Sequence, residues 1–73
     1  MTASEIQPYL RAEPFKPLTI VTARNGSIPV TRPDAVLLAT TQLYIGWEFD
    51  SSGVPSKVSI IPLLQIRQIK PMD

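Results

Sequence analysis

Residues 43–70, LYIGWEFDSSGVPSKVSIIPLLQIRQIK, decide the fold. Leu43, Ile45, Trp47 and Phe49 alternate with Tyr44, Gly46 and Glu48, the period of two that sends successive side chains to opposite faces of a strand. Asp50–Ser56 is a polar loop with a glycine and a proline, as at a hairpin tip. Lys57–Ile61 is the partner strand. Pro62–Gln65 interrupts it and predicts a single helical or 3₁₀ turn. Ile66–Lys70 closes with a last short strand, and 71–73 is a tail. On this pattern Trp47 shares a face with Leu43, Ile45 and Phe49 and is expected in the core. Tyr44, on the opposite face, is the better surface aromatic.

Upstream the chain continues in the same style. Leu18–Arg24 is β-branched and alternating, Asn25–Gly26 is the dipeptide favoured in a type I′ hairpin turn, and Ser27–Thr31 returns. Pro29 cannot donate a ladder bond, so the return strand is an edge or carries a bulge. Arg32–Asp34 turns the chain into a short strand, Ala35–Ala39. Residues 2–13 are expected to be helical. Either Ser4 with Gln7 or Thr2 with Glu5 completes a capping box, and Ile6, Tyr9 and Leu10 form one apolar stripe. Pro8 shortens this helix and Pro14 ends it. Residues 14–17 form an extended linker that Phe15 pins to the core; the P-x-x-P spacing is read as structural rather than as an SH3 ligand.

The expected fold class is therefore mainly β, a single domain over 1–73. A short N-terminal helix (2–13) and a linker (14–17) precede a small five-stranded barrel (18–70); the tight helical turn before the last strand resembles SH3-like and Sm-like barrels, an architecture that this resemblance implies. Six of the eight prolines, at 14, 17, 33, 55, 62 and 71, punctuate element boundaries rather than marking a disordered chain. Seventy-three residues bury only about 60% of the unfolded chain's surface, leaving a folded area of roughly 4,500 Å². A core this thin gains from a second copy.

Composition narrows the chemistry. There is no cysteine and no histidine, so no disulfide, no thiolate nucleophile and none of the commonest general bases or metal ligands. Three unclustered glycines make no phosphate-binding loop. Glu48 and Asp50 are the one close carboxylate pair, and beside a Ser-Ser-Gly loop they read as solvated. No catalytic residue, cofactor or metal is expected. Seven basic and six acidic side chains leave a formal charge of +1, too balanced for a broad nucleic-acid footprint. No apolar run approaches the roughly 20 residues of a transmembrane helix, and the first residues lack the basic and apolar regions of a signal peptide. A soluble, cytoplasmic protein with no membrane association is expected.

The opening Arg11-Ala12-Glu13-Pro14-Phe15-Lys16-Pro17-Leu18-Thr19-Ile20 resembles that of a group of short uncharacterised bacterial proteins that read R-A-x-P-F-x-P-F-x-I. That group continues with a D-G or N-G turn, a valine and an H-P-D-like turn, held here by Asn25–Gly26, Val30 and Arg32–Asp34. Arg32 stands where the group carries histidine, so no role of that histidine transfers. The resemblance rests on turn and core positions and implies a fold, not an activity.

Two functions from different classes follow. The first is a non-enzymatic interaction module whose partner is another protein or itself, as a dimer or ring, with Val58, Ile60, Ile61, Ile66 and Ile69 as candidate interface residues and strand edges as templates. The alternative is single-stranded RNA or DNA binding by a Sm-like surface carrying Tyr44, Arg24, Arg32, Arg67 and Lys70.

Overall fold

Two three-stranded sheets carry the chain, with strand orders β2-β1-β6 and β3-β4-β5, every pairing antiparallel. The computed structural model describes residues 1–24 and 26–72. The helix α1 spans Ala3–Arg11, followed by β1 (Leu18–Thr22), β2 (Ser27–Val30), β3 (Val36–Leu38), β4 (Gln42–Phe49), β5 (Pro55–Pro62) and β6 (Ile66–Pro71). A 3₁₀ turn over Pro33–Ala35 enters β3, and a second over Leu63–Gln65 sits where the sequence places a helical turn before the last strand. The mainly-β class with one N-terminal helix holds. The expected five strands are six. Among the described residues the ladders run within each sheet and none closes a barrel.

The core lies between the sheets. Leu18, Ile20, Val30, Ile66 and Ile69 face it from one, Leu43, Ile45 and Ile61 from the other, and Leu63 and Ile6 complete it. Ile6 is wholly buried because Thr2 starts the helix at the right phase. Its hydroxyl accepts from the Glu5 backbone N–H at 3.3 Å while the Glu5 carboxylate accepts from the Thr2 N–H at 2.9 Å, the earlier of the two possible capping boxes. Ala3, Ile6 and Leu10 make the inward stripe; Tyr9, expected on it, is 44% exposed at the helix flank. Phe15 packs against the core, as a linker anchor should.

Two irregularities re-aim strands. Val21 pairs with Ser27, so 22–26 form a connection wider than a two-residue turn. Thr22 donates to the Gly26 carbonyl from both its N–H and its hydroxyl, at 2.9 and 3.0 Å, and the Ala23 N–H turns away to the Gln65 carbonyl at 2.8 Å. The expected type I′ turn falls partly on Asn25, outside the described residues. In β6, Thr22 pairs with Ile66 and Val21 with Gln68, so Arg67 is an extra residue opposite no partner. That bulge puts Ile66 and Ile69, three apart, on the same buried face.

The strand β4 departs from its pattern at its end. Leu43 and Ile45 are buried as expected, but Trp47 is 42% exposed and Phe49 also reaches solvent, so Trp47 is not a core residue. Trp47 and Phe49 line a shallow surface pocket with Pro29, Val30 and Thr31 at the end of β2. Glu48 has φ of 55°, a left-handed conformation uncommon for a side chain with a Cβ. The tip beyond it is tied by Asp50, whose Oδ1 accepts from the Ser52 N–H and hydroxyl and from the Val54 N–H at 2.9, 2.7 and 2.9 Å.

An uncharged sheet face as candidate functional site

The register of β3-β4-β5 aligns an apolar face that, among the described residues, no other element covers. Leu37, Tyr44 and Ile60 stand in one row across the three strands, and Gly46 and Val58 in the next. Neither row contains a charged side chain. Leu37 is 64% exposed, Val58 59% and Ile60 55%. Three large aliphatic residues exposed side by side make a contiguous apolar patch, and the largest such patch on a monomer is often functional. Tyr44 lies half-buried among them, its hydroxyl donating to Gln42 Oε1 at 2.7 Å.

Gly46 keeps this face low. A Cβ there would lie 2.7 Å from Pro55 Cγ and 2.8 Å from Pro55 Cβ, so the proline ring rests directly on the glycine backbone. Any larger residue would lift Pro55 and raise a ridge beside Val58.

Of the candidate interface residues, Val58 and Ile60 are on this face. Ile61, Ile66 and Ile69 are in the core and present no surface to a partner. The adjacent Ile60–Ile61 pair explains the split: in a strand, neighbours point to opposite sides, so one of two consecutive isoleucines must face outward. Leu37 was not among the candidates. Its signal is the same, the middle residue of an apolar run on a strand with one covered side.

The candidate nucleic-acid residues are not gathered. Tyr44 belongs to β4, whereas Arg67 and Lys70 belong to β6 in the other sheet, and Arg24 follows β1. Arg32 is committed: it forms a two-pronged ion pair with Asp34, both contacts 2.9 Å, and its guanidinium lies 4.4 Å from the centre of the Phe49 ring. A second cation stacks nearby, with Lys57 Nζ 5.0 Å from the Trp47 ring and 3.3 Å from Glu48 Oε2. The Trp47 indole donates to Ser59 Oγ at 3.0 Å. Each aromatic ring at this end therefore already carries a cation on its face.

Asp34 and Asp50 are held away from proton transfer by hydrogen bonds to their ionised forms. The hydrogen bond from the Ser52 side chain, then that from the Val54 backbone, hold the Asp50 carboxyl below its usual range. The Arg32 side-chain hydrogen bond does the same for Asp34. A general acid at neutral pH needs the opposite shift. Among the described residues no cluster of three or more acidic side chains has metal-site geometry, and no helix is long and apolar enough to cross a membrane. Comparison with protein-family models, with curated proteins and with solved structures found no match to this chain.

Proposed function

We propose that the chain is a non-enzymatic interaction module that self-associates by packing the β3-β4-β5 face against the same face of a second copy. The single observation that carries this reading is the uncharged row Leu37–Tyr44–Ile60 with Val58 beside it, exposed on a chain with a formal charge of only +1. A second copy is the favoured occupant because an apolar face with no charge in its two cross-strand rows is complementary to itself. Two sheets stack face to face about 10 Å apart, and a two-fold axis makes such a contact isologous.

Face packing is better supported than edge pairing. The edges carry devices that discourage addition of a strand: Pro29 in β2, Pro55 and Pro62 at the ends of β5, the bulge at Arg67 in β6, and only three residues in β3. The order of elements, with a 3₁₀ turn between β5 and β6, supports an SH3-like arrangement. The patch is small beside the roughly 800 Å² per partner of a standard interface, so association in the micromolar range is expected. Sedimentation equilibrium from 5 to 500 µM tests the reading. A rising average mass in the wild type, abolished by Ile60→Lys, supports it; a monomer throughout overturns it.

A further inference from the structure

The Leu37–Tyr44–Ile60 row holds one polar group whose hydrogen bonding is half complete. The Tyr44 hydroxyl donates to Gln42 Oε1 at 2.7 Å. A phenol oxygen can also accept, and a carboxamide also carries an NH₂ that donates. Among the described residues neither capacity is used: no hydrogen bond leaves Gln42 Nε2 and none arrives at Tyr44 Oη. No buried side-chain nitrogen or oxygen there lacks a partner, so the Gln42 amide nitrogen reaches solvent. Gln42 and Tyr44 are two apart on β4 and share its outer face. A donor and an acceptor therefore stand side by side at one end of the apolar patch. A purely apolar partner pressed onto this row would leave both buried and unpaired, which opposes binding. A two-fold axis crossing β4 between them sets Gln42 of one copy over Tyr44 of the second and fills both positions at once.

That axis also gives Leu64 a partner. The rows across β4 and β5 are Gln42–Pro62, Tyr44–Ile60 and Gly46–Val58, each about 6.6 Å from the next. An axis between the first two carries the third to the position one row beyond Pro62. The 3₁₀ turn Leu63–Gln65 lies there. Its Leu63 is buried, whereas Leu64 is 95% exposed, more than any other large apolar residue described. Leu64 lines one surface hollow together with Gln42 and Pro62.

We propose that the dimer sets its β4 strands antiparallel across the interface, with Gln42 Nε2 of each copy donating to Tyr44 Oη of the other and Leu64 of each packed on Val58 of the other. This rests on the sheet-face reading and fixes its geometry, and it brings Leu64, which lies outside the three strands, into the contact.

Sedimentation equilibrium of surface variants, each shown by circular dichroism to be folded, tests the geometry. Gln42→Met is expected to raise the dimer Kd about tenfold or more, because the two-fold axis removes two hydrogen bonds for one substitution. Gln42→Met/Tyr44→Phe is expected to lose no more than Gln42→Met alone. Val58→Lys and Leu64→Glu are each expected to weaken association by at least about tenfold. The Val58→Lys/Leu64→Glu chain sets opposite charges against each other at both ends of the contact and is expected to recover most of that loss. If the wild type dimerises and Ile60→Lys splits it, an unchanged Kd in Gln42→Met or Leu64→Glu, or losses at 58 and 64 that simply add, would overturn this geometry while the face stands as the interface. A wild type monomeric to 500 µM would overturn the face and the geometry together.

Discussion

Replacing Gly46 with alanine should destabilise the domain through a single contact. The new Cβ would lie 2.7 Å from Pro55 Cγ and 2.8 Å from Pro55 Cβ, roughly 0.8 Å inside ordinary carbon–carbon contact. The obstacle is a ring closed onto the backbone, so it cannot rotate away as a long side chain would. Overpacking of this kind costs about 1–3 kcal/mol. For a domain of this length each kcal/mol lowers Tm by about 4–8 °C, so a fall of about 10 °C is expected for a cost near the middle of that range. The assay is urea and thermal unfolding of wild type, Gly46→Ala, Pro55→Ala and the double variant. Pro55→Ala alone should cost under about 1 kcal/mol, and in the double variant the two changes should couple favourably by at least about 1 kcal/mol. If Gly46→Ala unfolds with the wild type, or if removing the proline ring gives no rescue, the packing of Pro55 on Gly46 does not hold the strand pair as described.

Further outcomes follow from the same structure. Ile6→Ala should cost about 2–5 kcal/mol, because Ile6 is wholly buried, and should leave the helix docked poorly on a domain with little stability to spare, readable in the urea midpoint. Glu48→Gly should be tolerated within about 1 kcal/mol, whereas Glu48→Val should lose more than that, since a β-branched residue resists φ of 55°; equal stabilities would contradict the left-handed assignment. Glu5, Asp34 and Asp50 all have lowered carboxyl pKa values, each set first by a hydrogen bond, from Thr2, Arg32 and Ser52 respectively. A depressed folded-state pKa gives stability that is present above the unfolded value, about 4, and is lost as pH falls through the lower folded values, so Tm should decline below pH 4 and Asp50→Ala should flatten part of that slope. With no histidine in the chain, no side chain with an ordinary pKa titrates between pH 5 and 8.

The strands and their punctuation were legible because period-two alternation and proline placement are local signals. The 3₁₀ turn at 63–65 was legible for the same reason. What was not legible depends on distances between sheets. Trp47 has the right parity for the core but is 42% exposed, lining a shallow pocket with Pro29, Val30 and Thr31, a juxtaposition of strands that no local pattern records. In a regular strand Ile66 and Ile69, three apart, would face opposite sides. Only the bulge at Arg67, set by pairing with β1, turns both inward. For the candidate site, the surplus of apolar residues in Val58–Ile61 was visible, but which of them faces out required the register with β4.

The claim that matters most is self-association through the β3-β4-β5 face. The most direct test is sedimentation equilibrium of the wild type beside Ile60→Lys, with circular dichroism showing that the variant is folded. The expected result is a concentration-dependent dimer for the wild type and a monomer for the variant at every concentration. A wild type that stays monomeric to 500 µM, or an Ile60→Lys variant that associates as the wild type does, would contradict it.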